Sequence, residues 1–254
     1  MREYLIFSIA APMASFSAQY DPGERRNSSN RPSKSGVLGM VAAALGIERT
    51  EEVKFEALRD SLGFAVRVED AGQPAFDYHT SQVPPARRNR RFATRADELS
   101  VPKTELKTIL STREYRVNAF ASPALWLRAM DRRVALADIA AALKRPHFTV
   151  YAGRKSHPLM LPCNPTVVQA DCVSDAFAEF DKAQPKAVKE FRQRYLPDVQ
   201  RYGQKAPPVI YSDLVEEEAY ERIEQRRDLP ESRTKWRFGL RQEAILSGRQ
   251  RGTA

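Results

Sequence analysis

The stretch SKSGVLGMVAAALG, residues 33–46, decides how the fold is read. Leu38, Val41, Ala42 and Leu45 recur at the spacing of a helix face. Ser33-Lys34-Ser35-Gly36 opens the helix and Gly46 stops it. Upstream, Leu5, Phe7 and Ile9 alternate with Tyr4, Ile6 and Ser8, the pattern of a buried first strand. Downstream, Leu62 to Glu69 alternates again, with Leu62, Phe64, Val66 and Val68 on one face. The chain therefore begins strand, helix, strand.

Working outward, Phe76 to Thr80 reads as a short extended piece. The pattern is then lost from Pro84 to Thr112, a stretch with seven basic residues against three acids. It is too long for an ordinary connection and reads as disordered or as a functional excursion. Strands are expected at Arg113 to Ala121, Ala124 to Met130 and Phe148 to Ala152. A helix at Val134 to Leu143 ends at Arg145-Pro146. This order matches an α+β sandwich of the ferredoxin-like (RRM-like) type over residues 1–160. Residues 161–254 read as a smaller, less regular part. It has a helix at Ala176 to Tyr195 interrupted at Pro185, and a short strand at Pro207 to Tyr211. An acidic helix face is expected through Glu216, Glu217, Glu218, Glu221 and Glu224. A final strand, with Trp236, Phe238 and Leu240 alternating with Arg237 and Arg241, is expected to present a basic outer face.

Composition narrows the function. The 254 residues are 42% hydrophobic and 29% charged, enough to bury a core. An excess of 41 Lys+Arg over 32 Asp+Glu points to a polyanionic partner such as nucleic acid. Two cysteines, Cys163 and Cys172, and three histidines, His79, His147 and His157, argue against a disulfide scaffold and a metal centre, and no cofactor is implied. The apolar run from Val37 to Ile47 has eleven residues, where a spanning helix needs roughly 20. The N-terminus lacks a secretory pattern, so a cytoplasmic protein without membrane contact is expected.

Four features could carry chemistry. Arg87, Arg88, Arg90, Arg91 and Arg95 fall within nine positions, and guanidinium groups give phosphates paired hydrogen bonds with a permanent charge. Lys34 and Ser35 stand where a helix begins, a place that favours phosphate, although Ser33 or Ser35 also suits a simple N-cap. Gly153-Arg154-Lys155-Ser156 makes a tight basic turn. Beside the excursion, Tyr78 and His79 suit stacking on unpaired bases, or, in an alternative reading, acid–base cleavage of RNA without metal.

Several stretches taken in order resemble one family. They are Met1-Arg-Glu-Tyr-Leu-Ile with Pro12-Met13, Arg31-Pro-Ser-Lys-Ser-Gly-Val-Leu-Gly-Met with Leu45-Gly46-Ile47, and Asp77-Tyr-His-Thr. Thr112-Arg-Glu-Tyr-Arg-Val, Ala124-Leu-Trp-Leu and Arg145-Pro to Leu161-Pro162 complete the set. The chain resembles the Cas-five family of type I-E CRISPR Cascade subunits, within the RAMP superfamily, over about residues 1–165. The resemblance implies a RAMP domain whose arginine-rich excursion, 84–112, is a thumb hairpin. It further implies a non-catalytic antiviral subunit that holds the 5′ handle of the CRISPR RNA and caps the backbone filament. Such a subunit touches the backbone and large subunits and meets target DNA through the complex. Lys34, Ser35, Arg113, Tyr115, Arg116, Arg154 and Lys155 would line the RNA path. Relatives of type I-C cleave their repeat RNA, which keeps an endoribonuclease reading open with His79 and Tyr78 as its acid–base groups.

Overall fold

A computed structural model describes residues 1–16, 24–86, 91–128, 134–195, 208–213 and 219–246. Its frame is a sheet gathered around one long strand. In chain order the strands are β1 (Arg2–Ile6), β2 (Ile9–Ala14), β3 (Arg25–Arg26), β4 (Leu62–Asp70), β5 (Gln73–Val83), β6 (Lys107–Leu127), β7 (Thr166–Ala170), β8 (Val209–Asp213), β9 (Tyr220–Ser232) and β10 (Arg237–Leu246). The helices are α1 (Lys34–Ala44), α2 (Glu52–Ser61), α3 (Arg95–Leu99), α4 (Leu136–Lys144), α5 (Val173–Ala183) and α6 (Lys186–Tyr195).

Along the main path the strand order is β7-β1-β6-β4-β8-β10-β9, every neighbour antiparallel. β6 is the hub. β1, β2 and the short parallel β3 pair along one edge of it, and β4 followed by β5 along the other. β1 and β4 both run against β6 and so run parallel to each other, joined by a crossover through α1 and α2. β6 and β7 are likewise joined through α4.

Alternation sorts side chains onto two faces. Leu5, Phe7, Leu62, Phe64 and Val66 meet α1, α2 and α4 in one core. Tyr4, Ile6, Ala65 and Trp126 meet Val173, Phe177 and Phe180 of α5 in the other. α1 forms as its sequence requires: Ser33 has extended backbone, its hydroxyl accepts from Gly36 N–H at 3.1 Å, and Gly46 follows the helix at φ +77°. The helix break falls between Ala183 and Lys186, around Pro185.

Four expectations are corrected. Phe148 to Ala152 is not a strand. Its first amide bonds the open end of α1, Phe148 N–H to Ala43 O at 3.1 Å, and its only bridge is Tyr151 to Pro158. The strand beside β1 is instead β7. The two strands read at 113–121 and 124–130 are one, β6, which also starts earlier, inside the expected excursion. Glu221 and Glu224 lie on strand β9, not on a helix, while Glu216 to Glu218 lie outside the described residues. The Arg241 side chain of β10 is buried while Arg237 is exposed, so the two do not share a basic outer face.

Candidate nucleic-acid interface

β5 and β6 pair without a register shift from Gln73↔Val117 to Val83↔Lys107, and their register sorts the expected site residues. Asp77 stands opposite Arg113, His79 opposite Ser111 and Ala75 opposite Tyr115, so His79, Arg113 and Tyr115 share one face of this hairpin. Phe76 opposite Glu114 and Tyr78 opposite Thr112 take the other face, with Arg116. Consecutive residues of a strand point apart, so Tyr78 and His79 do not converge on a common point. His79 Nε2 lies 3.7 Å from Asp77 Oδ2. Arg91 is exposed, and α3 and a 3₁₀ turn (Lys103–Glu105) lie in the described part of the connection between the strands. Arg87, Arg88 and Arg90 lie outside the described residues.

The basic turn comes to the face that holds Tyr115. Gly153 takes φ +89°, and a Cβ there would fall 1.8 Å from Ser15 O, so only glycine fits. The turn closes through Ala152 N–H to His157 O at 2.9 Å and His157 N–H to Arg154 O at 2.8 Å. Arg154 Nη1 then donates to Tyr115 Oη at 2.9 Å, with the guanidinium carbon 4.9 Å from the ring centroid. His157 meets the same ring edge-on at 5.2 Å. Burial first, and then Arg154, pushes the His157 pKa down and keeps the imidazole neutral. Lys155 is exposed beside them. Arg116, on the opposite face, is tied to Glu114 at 3.1 Å and donates to Ser28 O at 3.3 Å. Arg113 Nε and Arg116 Nε are shielded from solvent and have no hydrogen-bond partner among the described residues. Arg25 and Arg26 of β3, exposed alongside Thr112 and Arg113, add basic charge that strand patterning does not reveal.

The start of α1 departs from expectation. Its helix terminus is already occupied by one of the chain's own carboxylates: Lys34 N–H donates to Asp228 Oδ2 at 2.8 Å. The Lys34 side chain is buried, with Nζ 2.6 Å from Asp213 Oδ2, so it is out of reach of a phosphate in solution. Desolvation lowers its pKa, and nearby Arg128 and Arg241 partly offset the pull of Asp213. Arg241 grips Asp228 through two bonds, at 2.6 and 3.1 Å, and also reaches Asp213 and Glu243. Arg31 pairs with Glu243 at 2.6 Å and stacks on Tyr211 at 3.7 Å. Lys34 is thus part of a buried ionic lattice that ties α1 to β8, β9 and β10. Ser35 is half-buried, its hydroxyl 3.1 Å from that of Ser33.

Ser35 and Gly153 do meet across a cleft of about 330 Å³. Met40, Phe55 and Phe238 supply apolar walls, and Arg49, Arg233 and Trp236 also line it. Sequence reading misses this arginine pair, because Arg49 and Arg233 are far apart in the chain.

Known proteins resemble this chain in sequence and in fold. The family model for CRISPR-associated protein (Cas_Cas5) matches residues 4–243. The CRISPR system Cascade subunit CasD of Escherichia coli (strain K12) is 32% identical over 170 residues, 64% of this chain and 70% of that one. A chain of a solved CRISPR RNA-guided surveillance complex superposes with a TM-score of 0.60 at 23% identity, over 96% of this chain and 89% of that one. A crystal structure of a Cas protein gives 0.53 at 22% identity, over 96% and 95%.

Proposed function

This chain belongs to the CRISPR-associated Cas5 family, and from that premise we propose that it is a non-catalytic RNA-binding subunit of a type I-E Cascade complex. It holds the 5′ handle of the CRISPR RNA, caps one end of the backbone filament, and meets target DNA through the assembled complex in the cytoplasm. The observation that carries the reading is the side-by-side placement of Arg113, Tyr115 and His79 with the Arg154-Lys155 turn on one face of the β5–β6 hairpin. Cations there neutralise phosphates, and the aromatic and imidazole groups suit unpaired bases. The run β1-α1-β4-β6-α4-β7 is read as the ferredoxin-like unit of a RAMP domain, with the β5–β6 hairpin, whose far end lies in the stretch 84–112, as the thumb. Among the described residues after 160, β7 to β10 complete the same sheet, and this part supplies surface for the backbone and large subunits. Ser35 and Arg116 border the path, whereas Lys34 supports it from within.

The test is RNA binding by wild type and by Arg154→Ala/Lys155→Ala, titrated over salt, with a denaturing gel of repeat RNA run in EDTA. The expected result is intact RNA and, in the variant, weaker binding with a shallower salt slope, by roughly 0.7 for each phosphate of the single strand left unneutralised. An unchanged slope overturns the path. A discrete cut abolished by His79→Ala makes the protein a processing nuclease instead.

A further inference from the structure

The turn joining β9 to β10 is built to present a tryptophan. Trp236 is 64% exposed and takes φ +51°, a left-handed conformation that costs free energy for a bulky residue and persists only where neighbours enforce it. The enforcing groups come from α2 and the segment before it. Glu52 Oε1 accepts from Ser232 Oγ at 2.7 Å, Thr234 Oγ1 at 2.7 Å and Thr234 N–H at 3.1 Å. Arg49 donates twice to Arg233 O, at 3.1 and 2.8 Å, and Arg59 holds the carbonyl of Pro230 at 3.1 Å. While it holds that backbone, the Arg49 guanidinium also lies 4.1 Å from the Trp236 ring centroid. Arg233 stacks on Phe55 at 4.6 Å.

Two features indicate what such a platform receives. Arg49 and Arg233 form no ion pair among the described residues, and they repel: burial and then Arg49 lower the Arg233 pKa. Two carboxylates beside them in the same segment are already used, Glu52 by the turn and Glu51 by Lys54 and the Glu48 amide. An anion is therefore the complementary neighbour. The cleft beside Trp236 has a volume within the range, ~300–1,000 Å³, of pockets that enclose small ligands, and Gly153, which leads into Arg154, lines it.

We propose that Trp236, backed by Arg49, is a stacking platform for an unpaired nucleobase of the RNA strand whose phosphates pass the Arg154-Lys155 turn. The inference rests on the RNA-binding reading above and adds a second grip to it. Arg49 and Arg233 face the flanking phosphate while the base enters between Trp236 and the cleft wall. Base–aromatic stacking tolerates any sequence, and arginine strengthens it.

Tryptophan fluorescence of the full-length protein gives the test, using a single-stranded repeat-derived RNA as probe. Trp126 is buried at 3% exposure, so quenching by added bases reports on Trp236. The expected result is quenching in wild type, affinity lowered about tenfold in Trp236→Ala, and affinity retained in Trp236→Phe. The salt slope stays the same in both variants, because stacking releases no counterions, whereas Arg154→Ala/Lys155→Ala flattens it. Matching thermal unfolding of all variants excludes misfolding. If wild type binds RNA, the Arg154/Lys155 variant weakens it, and Trp236→Ala binds as wild type does, the platform is wrong and the RNA path stands. Full RNA affinity in Trp236→Ala combined with failed co-purification of other Cascade subunits makes Trp236 a protein-docking residue and also overturns the proposal. A wild type that binds no RNA overturns both readings.

Discussion

At Gly153 the backbone of the basic turn passes so close to Ser15 that no side chain can intervene. Gly153→Ala is expected to cost at least about 2 kcal/mol in urea unfolding, from the left-handed strain and the clash together. Lys34 makes a subtler case. Its place behind an N-cap serine is legible in the sequence, but its role is not. The partners that bury it, Asp213 and Asp228, lie 179 and 194 residues downstream. Asp213→Ala strands the buried Lys34 ammonium and takes one partner each from Arg128 and Arg241, and is expected to cost about 3–5 kcal/mol. Lys34→Met leaves Asp213 with both arginines, so its cost is smaller and the salt slope of RNA binding stays at the wild-type value. A flattened slope in Lys34→Met would put this lysine back on the RNA.

The elements that can be read in advance bury a broad stripe or a full alternation. α1, α4 and β4 repeat their apolar residues at regular spacing, and Pro185 marks the break before α6. α2 gives no such signal, because only Phe55, Leu58 and Ser61 of its ten residues are buried, scattered among charges. β6 reads as two strands because Pro123 interrupts its pattern, while the bend at Asn118, at φ +59°, falls inside the first of the two and leaves no mark on the alternation. Gly72, at φ +69° and packed against the backbone on either side of Asn118, ends β4 and starts β5 at that same bend. The Arg154–Tyr115 pairing is hidden for a related reason: only the packing of the Gly153 turn against Ser15, just past β2, brings Arg154 to β6. The β9–β10 turn gives an element-scale expectation. Hydrogen bonds from Ser232 and Thr234 hold the Glu52 carboxyl down at about 2, so the clasp persists through all but strongly acidic conditions. Glu52→Ala is expected to speed amide exchange at Thr234 and Lys235 while leaving exchange in β6 unchanged, as read by hydrogen–deuterium exchange.

Across the whole molecule, one sheet links the first and last thirds of the chain, with β7 on one edge of the β1–β6–β4 centre and β8 on the other. A fragment ending at residue 160 uncovers both edges and the α5 face, and is expected to be insoluble. A soluble fragment with a cooperative unfolding transition would show the first part to be autonomous. Acid should loosen the whole assembly. Asp181, held by Arg67 and Arg192, and Asp228, held by Arg241, both keep their pKa below the ordinary 3.8 despite burial. A depressed folded pKa gives stability that is complete above the unfolded value and drains away as pH falls through the folded one. Urea midpoints should therefore be flat from pH 7 to about 5 and drop below that, less steeply in Asp181→Asn. β6 has a mechanical consequence as well. It is 21 residues long, roughly 70 Å at ~3.3 Å per residue, and five other strands are fastened along it. Tension applied at the hairpin end enters lengthwise and is shared by many bonds in shear, where a strand at the rim would peel off one bond at a time. A load applied at that end pulls against the molecule's keel.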